Sequence, residues 1–393
     1  MGRAVVAVSF VAIGFGTAPA FLVSFLAPVL QDDLGLSRTA IGVLVGVMFG
    51  ATGLGCILAG RVTEIIGARW SVGLDGVLLA GALLLPVLLP GYPALVTCVV
   101  LAGIGYGLVQ VATNVAVVAA LPPQHHGVGL AVKTAGVPGI VTVLSLVAPP
   151  VGAAVGWQPV FVTGAVAAAL LGIAAVCVLP DARRSRNSGP RIPLPRRFWR
   201  YTLGATLLIA GSQPIYSWAV PYLHEATGAS LALAGAVTGL ASFLALAPMI
   251  AAARIADRLG AHRRLPIAVV LVGVLTAAEA LIALLSTQVV AGAIGIVVAT
   301  GAQLGAISLM HAAVAAAAPD TLARAAAMTM VGFYSGALIS APLFGMLVDA
   351  SGSYAVGWAA STVLVAAAAA TFWWCRPVGH RAENDAAVIN EAS

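Results

Sequence analysis

The stretch GRVTEIIGAR, Gly60–Arg69, sets three charged residues into ten positions of a chain that is only 8% charged. It returns as ARIADRLGAH, Ala253–His262, with the same order of small residue, arginine, acid and glycine, 193 positions further on. Long apolar runs flank both stretches. Two charged turns between apolar segments, half a chain apart, point to a membrane protein built by duplication.

Composition carries the same message. The 393 residues are 61% hydrophobic with a mean hydropathy of +1.05, and only 13 acids stand against 19 Lys and Arg. No soluble domain has so little polar surface with which to cover itself. A span needs roughly 20 apolar residues, because the hydrocarbon is about 30 Å thick and a helix rises about 1.5 Å per residue. Apolar segments near 4–30, 39–60, 71–90, 93–121, 128–156, 159–179, 201–223, 231–253, 265–286, 289–317, 325–349 and 353–375 predict about twelve spans. Unbroken Ala, Val, Leu and Gly favour helices over a barrel, whose strands run about ten residues with alternating polarity. The first run is longer than a signal peptide and is followed by further spans, so it is expected to remain in the mature protein.

Orientation follows from Lys and Arg, which hold loops in the cytoplasm. With the N-terminus inside, 17 of the 19 fall on cytoplasmic connections, leaving Lys133 within a span and Arg38 outside. Both termini are thus expected in the cytoplasm of a plasma (inner) membrane. The formal charge of +6 then reflects topology. It calls for an anionic inner leaflet as partner and for no nucleic acid.

The stretch DARRSRNSGPRIPLPRRFWR, Asp181–Arg200, is the one long polar break, too rich in Arg, Pro, Ser and Gly to build a core. It sets the expected organisation: a six-helix bundle at 1–180, an Arg-rich cytoplasmic linker at 181–200, a second six-helix bundle at 201–375 and a cytoplasmic tail at 376–393. An even number of spans per half makes the duplication a direct repeat. GLSRTAIG at Gly35–Gly42 matches GASLALAG at Gly228–Gly235, and APPVG at Ala148–Gly152 matches APLFG at Ala341–Gly345, again 193 apart.

These residues carry a resemblance. The opening decapeptide is similar to the signature G-x-L-a-D-r-x-G-r-[RK] of the major facilitator superfamily of transporters, found between the second and third spans. Gly60, Glu64, Gly67 and Arg69 fill its first, fifth, eighth and tenth positions, and Ala253, Ile255, Ala256, Asp257, Arg258 and Gly260 fit the second copy more fully. The resemblance implies that the carboxylate latches the inner ends of the two halves when the cavity opens outward. Glu64 would then pair with Arg324 at the start of the eleventh span, and Asp257 with the start of the fifth span, near His126. Glu replaces Asp at 64 and Ile65 stands where a basic residue is usual. Anchoring of the helix ends at lipid headgroups is the alternative.

The same fold implies that the first, fourth, seventh and tenth spans line the substrate path. Polar residues persist in spans chiefly where they meet water or protein. Gln110 and Asn114 share a face of the fourth span, Gln213, Tyr216 and Ser217 a face of the seventh, and Gln303 and His311 lie in the tenth. Thr17 stands beside Pro19 in the first, with Pro214 as its near counterpart, both kink sites. Tying helices together is the other use of such groups. Lys133, two turns into the fifth span, either faces the cavity and receives an acidic substrate group or snorkels to the headgroups. Asp75 in the third span and Glu279 in the ninth are candidates for proton coupling or for local partners.

Other chemistry is missing. Cys56, Cys98, Cys177 and Cys375 form no metal or redox motif, the six His are scattered, and no phosphate-binding loop is present. No cofactor, metal or enzymatic activity is expected. The expectation is a monomeric secondary transporter of a small solute, possible variants being an organic-anion carrier and a drug or metabolite efflux antiporter. A solute sensor or scaffold that does not transport is the alternative from another class.

Overall fold

The computed structural model describes residues 2–183, 194, 198–260, 263–317 and 321–375, without the side chains of 257, 322 and 323. Most of the linker and the tail from 376 onward lie outside this set, as does the Asp257 carboxylate. Every regular element among the described residues is a helix. Among the described residues, nine helices are long and apolar enough to cross a membrane, and a tenth span is the pair Gly2–Phe15 and Ala18–Phe25, bent by 44°. The other two come from broken segments. The 51-residue helix Arg38–Leu88 is interrupted at Gly67 (φ 80°, ψ 167°), which divides the second span from the third. The seventh span is assembled from Trp199–Ser212, Pro214–Ser217 and Ala219–Thr227. The result is the all-helical, twelve-span architecture the composition called for.

Prolines set the breaks in the first and seventh spans. Pro19, Pro28 and Pro214 each stand in the first turn of a new helical segment, where a missing N–H costs nothing and the ring would otherwise clash with the preceding turn. In the turn after the second span, Gly67 alone leaves helical geometry, whereas Gly60 continues the helix. A side chain would be strained at the positive φ of Gly67.

The duplication is written in the backbone. Gly35 and Gly228 both end a helix in the left-handed conformation (φ 64° and 73°). Ser37 and Ser230 then cap the next helix, accepting from the N–H of Ala40 at 3.1 Å and of Leu233 at 3.2 Å. Gly67 and Gly260 turn the chain with φ 80° and 92° and ψ 167° and 161°. All three pairs are 193 residues apart.

The halves meet along two equivalent seams. Gly42 and Gly46 of the second span lie against the carbonyls of Ala341 and Leu338 and against Pro342 of the eleventh; Gly53 meets the side chain of Tyr334. Gly235 and Gly239 of the eighth span lie against Ser145, Pro149 and the carbonyl of Thr142 of the fifth, and Thr142 Oγ1 donates to the Gly239 carbonyl at 3.3 Å. The APPVG and APLFG elements are therefore contact surfaces, each proline-bearing segment meeting glycines of the other half. With no side chain in the way, backbones approach closely enough for dispersion to hold helices together in a solvent as apolar as they are. Toward the arginine-rich side the glycine contacts of both seams end. Beyond Gly53 and Tyr334, Ile57 and Met328 are exposed, and beyond Gly239 and Thr142 so are Phe243 and Val132. Among the described residues, the close glycine contacts between the halves thus lie toward the Arg38 side.

Candidate functional site

Where the second–eleventh seam ends, side chains from both halves converge. Gln110 of the fourth span donates through Nε2 to the Tyr106 hydroxyl at 2.8 Å. Tyr334 of the eleventh span interacts through its side chain with Gln110 and with Cys56 of the second span. Tyr106 and Tyr334 are buried, while Gln110 keeps partial exposure. Two phenols, an amide and a thiol thus meet where the glycine contacts end, with no formal charge among them. Sequence reasoning found only Gln110 of this group.

The opposing half supplies a second polar contact. Gln303 donates to Ser212 Oγ at 2.7 Å, tying the tenth span to the seventh, and its Oε1 is buried without a hydrogen-bond partner among the described residues. His311, two turns on, is half-buried, and its Nε2 is likewise unpartnered there. Gln213 and Ser217 are buried, with Ser217 Oγ donating to the Gln213 carbonyl at 3.1 Å. Tyr216 faces Phe21 across the halves with ring centroids 6.0 Å apart. Thr17 is buried and donates to the Gly14 carbonyl at 2.6 Å, satisfying an acceptor at the break in the first span.

Lys133 takes a place that neither sequence reading specified. It is 2% exposed, and its Nζ donates to Asn114 Oδ1 at 2.8 Å, joining the fifth span to the fourth. Asn114 itself is exposed, one turn inward from Gln110 on the same face. The ammonium is thus sheathed by protein, with an exposed amide between it and open space.

The carboxyls differ in setting. Asp75 is buried in the third span with Oδ1 aimed at the bare Cα of Gly105, next to Tyr106 on the fourth, and that oxygen has no hydrogen-bond partner among the described residues. Glu279 is 0% exposed on the ninth span, which packs against the tenth and twelfth, and both its oxygens are unpartnered there.

The charged turn has an added contact. The Ala68 N–H donates to the Ala182 carbonyl at 2.7 Å, and Asp181 Oδ1 lies against Gly67, so the start of the linker docks on the turn. Arg69 Nε is buried there with no partner among the described residues. Glu64 is half-buried, Arg258 and Arg324 are exposed, and His126 pairs its Nε2 with the Leu121 carbonyl at 2.9 Å.

On the Arg38 side the halves are joined by charge. Arg38 Nε donates to Glu225 Oε2 at 2.9 Å, and its Nη2 reaches the same oxygen. Nη1 stands 3.6 Å from Asp349 Oδ1, and the guanidinium lies 5.7 Å from the ring centroid of Tyr354. Asp349, at the end of the eleventh span, also caps the second, accepting from the Thr39 N–H at 2.8 Å, Thr39 Oγ1 at 2.7 Å and the Arg38 N–H at 3.3 Å. The only sequence signal for this cluster is that Arg38 is the one basic residue assigned to the outer side.

Residues 6–309 match the family model of the Major Facilitator Superfamily. The chain belongs to that superfamily. Solved structures of the same fold include the inward-open xylose transporter XylE from E. coli, with a TM-score of 0.80 and 13% identity over 97% of this chain and 98% of that one. A bacterial homolog of the human lysosomal transporter Spinster, inward-facing and unoccupied, gives a TM-score of 0.76 and 14% identity over 95% and 96%. The nucleoside transporter NupG gives 0.75 and 14% over 95% and 98%. At such identities the likeness shows the fold alone. A probable polyol transporter of Arabidopsis thaliana is 32% identical over 78 residues, which span 20% of this chain and 15% of that protein. The superfamily assignment makes this a multi-pass membrane transporter of small molecules.

Proposed function

We propose that the protein is a monomeric secondary transporter that carries its solute unchanged across a plasma membrane by alternating access, with both termini in the cytoplasm. The observation that supports this reading is the pair of equivalent seams, 193 residues apart, whose glycine contacts join the halves toward the Arg38 side. Such an arrangement exposes one central site to one side at a time as the bundles rock. The solute is proposed to bind among Tyr106, Gln110 and Tyr334, with Gln303 and Ser212 facing them, and Thr17, Gln213, Tyr216 and His311 along the path. Glu64 with Arg324, and Asp257 in the mirrored position, form the proposed inner latch; Gly67 and Gly260 make the turns that carry it, with Gly60, Arg69 and Arg258 on the flanking helices.

The proposed substrate class is a small organic anion, held through Lys133. Its ammonium has three donors, one of which serves Asn114, and in a low-dielectric cleft its attraction for a carboxylate is weakly screened. Uptake or export of a matched anionic and neutral pair tests this. Lys133→Ala should lower the preference for the anion by roughly tenfold, the scale of a charge-assisted hydrogen bond. Lys133→Arg should retain part of it, since the charge stays but becomes a planar fork. Unchanged selectivity in Lys133→Ala would remove the anion. A neutral hydroxylated solute then stands instead, as the uncharged Tyr106, Gln110 and Tyr334 set favours, and as the names of the xylose, nucleoside and polyol transporters suggest.

Protons are the proposed coupling ion, with Asp75 as carrier in preference to Glu279, because its free oxygen faces the span that bears Tyr106 and Gln110. Asp75→Asn should abolish accumulation driven by a pH gradient while leaving exchange of labelled for unlabelled solute within about twofold. Glu279→Gln should leave both intact. Gradient-driven accumulation that survives Asp75→Asn would exclude this carboxyl.

A further inference from the structure

One cavity lies away from the solute path, and the solute does not account for it. It is a trench of about 840 Å³ between the third and sixth spans. Its origin is legible in the sequence: Gly73 and Gly172 line it, and Gly76 meets Gly172 backbone to backbone, so no side chain fills the strip between the helices. Leu74 and Val77 form one wall and Ala169 and Ile173 the other. All four are at least partly open to the surroundings except across the trench floor, and Ile173 is 62% exposed. At the end nearest the charged turn the trench finishes in Trp70, 53% exposed, and Arg183.

That end is built. Arg183 belongs to the first residues of the linker, which the Ala68 N–H to Ala182 carbonyl hydrogen bond of 2.7 Å fixes to the turn. The Arg183 stem packs over Gly67, which has no side chain to displace it. A greasy trench that ends in a tryptophan and an arginine held near the turn by its backbone neighbour fits an acyl chain joined to an anionic headgroup. Tryptophan prefers the boundary between hydrocarbon and headgroups. A guanidinium binds phosphate by paired, charge-assisted hydrogen bonds.

We propose that this trench is a binding site for an anionic glycerophospholipid of the leaflet on the arginine-rich side, one acyl chain lying between Leu74 and Ile173 and the phosphate on Arg183. The bound lipid would hold the linker against the turn that bears Glu64. The site stands independently of which solute the protein carries.

Native mass spectrometry of the purified full chain, with dioleoyl phosphatidylglycerol and dioleoyl phosphatidylcholine added in turn, tests the assignment. The parent should retain phosphatidylglycerol about tenfold better, the scale of a charge-assisted contact. Arg183→Ala should lose that preference and keep the weaker binding of phosphatidylcholine, whereas Arg200→Ala, which removes an arginine at the far end of the linker, should bind as the parent does. Ala169→Trp, which fills the trench at an exposed position, should lower retention of both lipids. Unaltered circular dichroism and melting temperature show that each variant is folded; Arg183→Glu, which should invert the preference, serves if Arg183→Ala is not. A preference for phosphatidylglycerol that survives Arg183→Ala would overturn the proposal, as would retention indifferent to Ala169→Trp. A dimer that Ala169→Trp dissociates would overturn it too, by giving the trench to a second copy of the chain.

Discussion

Arg38→Ala should let a membrane-impermeant thiol reagent, added on the Arg38 side, reach Cys56 about ten times faster than in the parent. Cys56 lies beside Tyr334 at the deep end of the second–eleventh seam, so from that side it becomes reachable only when the seam parts. Arg38 holds the start of the second span to the ends of the seventh and eleventh through Glu225 and Asp349. The pair is partly wet, with the two side chains 33% and 19% exposed, so its strength is discounted from that of a buried contact to about 1–2 kcal/mol. That converts to roughly a five- to thirtyfold change in the open population. Asp349→Asn should act in the same direction, because the cap it gives Thr39 weakens with the charge. In about 1 M salt, where the screening length is near 3 Å, the parent should move part of the way. The measurement uses a chain in which Cys98, Cys177 and Cys375 are replaced. Glu64→Ala should shift the balance oppositely, reducing labelling from the Arg38 side and raising it from the other, if the inner latch acts as proposed. Parent-like labelling in both Arg38→Ala and Asp349→Asn would show that the charges decorate a mouth held shut by packing alone.

What the sequence revealed and what it hid divide along a physical line. Spans are local: each is a run of apolar residues, and the 193-residue repeat needs only comparison of the chain with itself, so the fold and the turn glycines Gly67 and Gly260 could be read directly. APPVG and APLFG were legible as a repeated element, but not their partners, since Gly42, Gly46, Gly235 and Gly239 lie in the opposite half in each case. The Tyr106, Gln110, Tyr334 and Cys56 group joins three spans, and neither tyrosine stands out in a helix where aromatic residues are ordinary filling. Arg38 and Glu225 are 187 residues apart, yet Arg38 had announced itself as the one cation that broke the charge rule. Lys133 was singled out by its cost in a membrane, and the structure shows Asn114 meeting part of that cost, a pairing that no spacing between the fourth and fifth spans could specify.

Gly235→Val should expose Cys56 from the Arg38 side more strongly than loss of Arg38 does, although Gly235 is on the other seam. A Cβ at Gly235 runs into the backbone carbonyl of Ser145, and one at Gly46 into that of Leu338. Neither obstacle is a flexible side chain that can turn away, so the helices must part. Forced overpacking costs about 1–3 kcal/mol, sometimes more, enough to shift a balanced pair of states by roughly five- to 150-fold. Gly81→Val, where nothing lies within 4 Å of the added atom, controls for a branched residue in a span and should label as the parent does. The comparison between seams decides how the molecule moves. If each half is a rigid bundle, a wedge in the eighth–fifth seam tilts the whole bundle and opens the second–eleventh seam with it. Gly46→Val and Gly235→Val should then each give nearly the full effect, and the double variant little more, since coupled sites do not add. If the halves flex, Gly235→Val should leave Cys56 protected while Gly46→Val exposes it, and the two should add. The second outcome would exclude rocking of two bundles as the motion that carries the solute, whatever that solute is.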